Sequence, residues 1–202
     1  NKLIDSDLLL DKIKNYQGKK KITALKALKK VEISNPEIII PELINLLQDE
    51  NPELAQVSTN VLKKIGRPAV PELIQVLKND KTMFKTKLDI IELLGKIGAE
   101  AEGAVSLLIS KLNQIDFQHK ASVALIKIGK KSVPELKQLL INARLDSVKY
   151  NVIKILGEIG SKRAIEVLKT QLSDQKLRAP TILALKKNNL NVREIVTQEL
   201  EN

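Results

Sequence analysis

Apolar residues return along the chain in steps of three and four. From Val70 to Leu77 they fall at Val70, Leu73, Ile74 and Leu77, the i, i+3, i+4, i+7 spacing of one helix face. Val148, Val152, Ile155 and Ile159 repeat the pattern further on. Period-two alternation is missing and the segments are long, so strand readings fail. An apolar stretch closing on Ile-Gly recurs as Val61-Leu62-Lys63-Lys64-Ile65-Gly66, Leu93-Leu94-Gly95-Lys96-Ile97-Gly98, Ala124-Leu125-Ile126-Lys127-Ile128-Gly129 and Ile155-Leu156-Gly157-Glu158-Ile159-Gly160. The closing glycines are 32, 31 and 31 residues apart. They stand where a helix must stop, and glycine takes a positive φ there at little cost.

A second phrase follows each glycine: Ala69-Val70-Pro71-Glu72-Leu73, Ser132-Val133-Pro134-Glu135-Leu136 and, earlier, Ile39-Ile40-Pro41-Glu42-Leu43. Proline suits the first turn of a helix, where its missing N–H removes no bond, and the glutamate beside it complements the positive helix end. Each period therefore holds two helices, and a pair this short buries its apolar face only against a neighbouring pair. The spacing predicts six hairpins near 2–32, 36–66, 69–98, 102–129, 132–160 and 162–189, with a capping helix over 191–202. The whole of 1–202 reads as one solenoid domain. Pro180 is expected to kink its helix or delay the start. Extra residues between Asn79 and Lys87 predict a longer turn there.

These residues resemble the HEAT-repeat superfamily, and in particular the short bacterial and cyanobacterial HEAT-like, phycobilisome-lyase-type units. The fifth unit carries the likeness best, in Asp146-Ser147-Val148-Lys149, Ile155-Leu156-Gly157-Glu158-Ile159-Gly160 and Ala164-Ile165, and the sixth adds Asp174 and Leu177-Arg178. The resemblance implies an all-α solenoid, a right-handed superhelix whose second helices line the concave side. It also implies an Asp–Arg pair bonding between neighbouring repeats, matched at Asp174/Arg178 and Asp146/Lys149. Asn51 and Ala55 stand at the second unit's counterparts, so that ladder is expected to be broken there.

On the ridge of the second helices one position reads Lys30, Lys64, Lys96, Lys127 and Lys187, with Glu158 the exception. Asn60, Glu92, Lys154 and Leu183 lie on the same ridge. We take Lys30, Lys64, Lys96, Lys127, Lys154, Lys187, Asn60 and Glu92 as the candidate binding edge. Each lysine of the repeated position is in the last turn of its helix, where a cation offsets the negative end. Dipole complement and partner-binding edge therefore both stand as readings. His119 and Tyr150 occupy equivalent places in successive units and are expected to pack, partly buried, beside the ridge.

Charge fits a binding role. The chain has 34 Lys and Arg against 24 Asp and Glu, a formal +10. It is uneven: residues 1–32 carry +5, residues 33–62 carry −5 and the remainder +10. Cysteine is absent and histidine single, which excludes disulfides, thiolate chemistry and multi-histidine metal sites. Phosphate loops and zinc spacings are missing too. No catalytic set, cofactor or metal is expected. No apolar run approaches the ~20 residues of a membrane helix, and no signal peptide opens the chain, so a soluble cytoplasmic protein without membrane contact is expected. A chain starting at Asn1 reads as a processed or excised piece of a larger protein.

The function that follows is a non-catalytic protein-binding scaffold whose basic edge faces an acidic partner. Two alternatives share the architecture. Nucleic-acid binding, as in HEAT-like DNA glycosylases, would use the lysine stripe, but two Tyr, two Phe and no Trp give few stacking platforms. A bilin lyase or phycobilisome-associated subunit is implied only by the likeness of the repeat phrase.

Overall fold

The computed structural model describes residues 3–28, 31–188, 190, 191, 193, 195 and 197. They are helical almost throughout, and the all-α hairpin-repeat class expected from the sequence holds. The chain divides into two compact units, Asn1–Ala104 and Val105–Asn202.

The first unit holds three hairpins: α1 (Ser6–Asn15) with α2 (Gly18–Ala27), α3 (Ile40–Asn45) with α4 (Pro52–Ile65), and α5 (Val70–Lys78) with α6 (Phe84–Ile97). Second helices stack on second helices, α2 on α4 and α4 on α6, while α3 packs on α1 and α5. The buried stripe is the periodic one, with Leu25, Leu43, Val61, Leu62, Leu73, Ile90 and Leu94 within a few per cent of full burial. In the second unit α7 (Val105–Lys111) pairs with α8 (Ile115–Ile128), α9 (Val133–Asn142) with α10 (Asp146–Ile159), and α11 (Lys162–Lys169) with α12 (Arg178–Lys186). Here α8 packs on α10 and α10 on α12.

Gly66, Gly98, Gly129 and Gly160 end α4, α6, α8 and α10 with φ of +69°, +74°, +72° and +58°. Two of these turns are also sterically closed. A Cβ on Gly66 would stand 2.2 Å from Glu100 Oε2, and one on Gly160 2.2 Å from Asn188 Oδ1. Both neighbours come from the following hairpin and tie the turn: the Arg67 N–H donates to Glu100 Oε2 at 3.0 Å, and Asn188 Nδ2 donates to the Gly157 carbonyl at 3.0 Å.

Pro180 and the turn after Asn79 follow one of the readings expected for them, whereas the rungs between repeats resolve differently. Pro180 is the third residue of α12, so it delays the helix rather than kinking it. The turn after α5 spans 79–83 and is closed by Thr82 Oγ1 donating to the Val76 carbonyl at 2.8 Å. Asp174 and Arg178 do not pair. Asp174 accepts from the Lys176 N–H at 2.9 Å, and Arg178 Nε donates to the Leu172 carbonyl at 2.8 Å. Gln118 makes the same bond, to the carbonyl of Leu112 at 3.0 Å, so this position closes its own hairpin rather than joining repeats. Asp146 reaches the next repeat through Lys176 at 3.4 Å and not through Lys149. In the second repeat, Glu53 rather than Asn51 makes the rung, to Lys26 at 2.6 Å.

Extended pairing was not expected anywhere, yet Leu3–Ile4 (β1) and Glu32–Ile33 (β2) form a two-residue parallel pair. It joins the two ends of the first hairpin and is continued by the buried Ser6 hydroxyl, which accepts from the Asn35 N–H at 2.8 Å. Of the expected cap over 191–202, only Asn191, Arg193, Ile195 and Thr197 are described.

Candidate functional site

The repeated lysine position leads to different partners in the two units. In the first unit it is engaged internally. Lys64, at the end of α4, donates through Nζ to the carbonyl oxygens of Leu28, at 2.7 Å, and Val31. It closes the C-terminal end of the preceding second helix, where carbonyls have no partner within their own helix. Lys96 pairs with Glu92 one turn back, at 2.8 Å. Asn60 is half-buried on α4. Lys30 lies outside the described residues.

In the second unit Lys187 is engaged by Glu158, the acidic exception in the lysine row. Lys127 and Lys154 are exposed and have no hydrogen bond or ion pair among the described residues. Sequence shows the same contrast on a larger scale. Residues 1–104 hold 17 basic against 15 acidic side chains, a formal +2, whereas 105–202 hold 17 against 9, a formal +8.

The free lysines flank two grooves on the second-helix face. One, of about 340 Å³, lies between α10 and α12 and is walled by Tyr150, Ile153, Pro180 and Leu183, with Lys154 at its rim. Its floor is set by a close helix approach: a Cβ on Gly157 would meet the Ala184 Cβ at 2.7 Å. The other, of about 600 Å³, lies between α8 and α10, with Val123, Ile126 and Ile155 for apolar surface and His119, Lys127 and Lys154 around it. Lys154 and Glu158 border both grooves.

Apolar surface on this face is open. Leu183 is 69% exposed and Tyr150 42%. Tyr150 and His119 do not pack as expected: both are exposed and line the grooves. They sit at the rim because nearby helix positions, Ile153 and Ala121 among them, take the buried stripe. The signal for Leu183 was its ridge position, shared with Glu92 and Lys154.

Chemistry is sparse around these grooves. Among the described residues no group of three His, Cys, Asp or Glu is placed to hold a metal ion. None of the described helices is long and apolar enough to cross a membrane. What the face offers is shape, apolar contact and two uncompensated cations.

Residues 148–174 match the family described as PBS lyase HEAT-like repeat. A HEAT-like repeat is present in this chain. The match runs from α10 through α11, so it includes the helix that separates the two grooves. An engineered protein of solved structure is similar over 91% of this chain and 96% of its own, at 18% identity and a TM-score of 0.43. Human deoxyhypusine hydroxylase, solved in complex with glycerol, is similar over 96% and 94%, at 15% identity and a TM-score of 0.37. At those scores neither likeness bears on what this chain does. No curated protein matches it. The HEAT-like unit supports a repeat scaffold.

Proposed function

We propose that this chain is a non-catalytic protein-interaction scaffold that binds an acidic partner on the second-helix face of α8, α10 and α12. One observation carries the reading: Lys127 and Lys154 are the members of the candidate edge left uncompensated among the described residues, and both border apolar grooves. A positive field raises encounter rates with an acidic surface, and the grooves add contact area that charge alone does not give.

Nucleic acid is the weaker fit to the same lysines. Of the aromatic residues, Phe117 is buried, and on this face only the Tyr150 ring and the His119 imidazole are offered among the described residues. The bilin reading rests on the family's description alone, and absence of new visible absorbance on mixing with a bilin would remove it.

The test is a fluorescence-anisotropy titration of the full chain with a fluorescein-labelled poly-glutamate peptide at low and moderate salt. Lys127→Glu with Lys154→Glu is expected to weaken binding about tenfold or more. Lys63→Glu with Lys85→Glu, the same change in net charge in the other unit, is expected to leave most of it. Equal loss in both double variants would mean net charge alone is being read. Duplex DNA that binds more tightly than the peptide at both salt concentrations would replace the acidic-protein reading.

A further inference from the structure

This inference deepens the proposal above and rests on it. The two grooves are not independent. They share α10 as a common ridge, and Lys154 stands on that ridge between them. Each groove has apolar surface and at least one free lysine beside it, Lys154 for the α10–α12 groove and Lys127 with Lys154 for the α8–α10 groove. A partner crossing the ridge must therefore place an apolar side chain on each side and negative charge between.

Packed helices lie about 8–10 Å apart axis to axis, and successive grooves repeat at that spacing. A polyproline-II segment has about 3 residues per turn and rises about 3.1 Å per residue, so its i and i+3 side chains point the same way about 9 Å apart. A β-strand places i and i+3 on opposite faces. We infer that the α8, α10 and α12 face binds an extended acidic peptide in polyproline-II conformation, with apolar side chains at i and i+3 in the two grooves, a carboxylate between them on Lys154 and a flanking carboxylate on Lys127 at the α8 wall. Leu183 and Tyr150, open on one side, and Ile126 and Val123, on the other, are the surfaces those side chains cover. The Glu158–Lys187 ion pair beside the smaller groove is already closed, so it neither attracts nor repels the segment.

The probe is a fluorescein-labelled peptide carrying Leu-Asp-Glu-Leu between acidic flanks, titrated against the full chain. Three comparison peptides keep its charge: both leucines changed to serine, the leucines moved to i and i+2, and the leucines moved to i and i+5. The first peptide is expected to bind about tenfold or more tighter than the serine version, and tighter than either altered spacing. Leu183→Ser and Ile126→Ser are each expected to erase most of that advantage while leaving the serine peptide's affinity unchanged. Far-UV circular dichroism and thermal melting show that each variant is folded.

Leucine and serine peptides of equal affinity, or Leu183→Ser without effect, would overturn the anchor while the charge-based scaffold reading survives. Preference for the i and i+2 peptide would overturn the polyproline-II conformation. Failure of every acidic peptide to bind, with Lys127 and Lys154 intact, would overturn the scaffold reading and this inference with it.

Discussion

The two halves of this chain differ at one place in the lysine row. At the end of α4, Lys64 closes the carbonyls of the helix before it, and at the end of α6, Lys96 is held by Glu92. At the end of α8, Lys127 is left open, with Lys154 open beside it on α10. The first half nearly neutralises its charge and the second carries +8. A lysine at a helix C-terminus is favourable in either case. What decides whether it stays open is the residue opposite, which Lys187 has in Glu158 and Lys127 lacks among the described residues. Repetition in sequence is therefore no guarantee of repetition in role.

The largest effect should come from the floor of the α10–α12 groove. Gly157→Val would drive a side chain into Ala184, whose Cβ would already be 2.7 Å from a Cβ at that position. We expect a loss of about 3 kcal/mol in urea unfolding, together with loss of peptide binding, since the helices must part. Unchanged stability would mean the approach of α10 to α12 is loose, and the small groove would lose its defining wall.

Next in size is the lysine that ties the first half. Lys64→Met keeps the aliphatic stem and removes the ammonium from two carbonyls. Because the side chain is exposed and screened, the expected cost is about 1 kcal/mol. The matching change in the second half, Lys127→Met, should stay within about 0.5 kcal/mol. Equal costs would erase the contrast between the halves.

One feature is common to both. Ser58 on α4 and Thr181 on α12 occupy the corresponding ridge-facing core position of their repeats and are buried with no hydrogen-bond partner for their hydroxyls. Ser58→Ala and Thr181→Val remove an unsatisfied group from each half. Each is expected to raise stability by about 1 kcal/mol in the same denaturation experiment. Destabilisation at either site would point to a bond those hydroxyls make in solution.

These contrasts also mark what the sequence could tell. The fold was legible because helix-ending glycines near a fixed period leave few alternatives, and Val70, Leu73, Leu77 and their counterparts are buried as the periodicity requires. The Lys96–Glu92 pair was legible as neighbours one turn apart. The Lys187–Glu158 pair had a signal too, since a lone acid in a row of lysines meets the cation of the next repeat. Lys64 had none, because its partners are backbone carbonyls, which every residue carries. Nor could burial be read for Tyr150 and His119. For Tyr150 the exposure goes with how closely α10 approaches α12, where the small residues Gly157 and Ala184 meet rather than any periodic apolar pair.

The smallest predicted effect is the most discriminating for the lysine row. Lys96 and Glu92 are each about one-third exposed, at 36% and 35%, and sit i, i+4 on α6. Such a pair contributes about 0.3–0.5 kcal/mol at low salt, and less as ions screen it. Lys96→Met should cost that much in dilute buffer and nearly nothing near 1 M salt, where the screening length falls to about 3 Å. Lys127→Met should show no such loss in dilute buffer, because Lys127 makes no ion pair among the described residues for salt to screen. If the two variants respond alike, Lys127 has an acidic neighbour in solution. In that case the second half would be neutralised as the first is, and the case for a partner at α8 and α10 would rest on apolar contact alone.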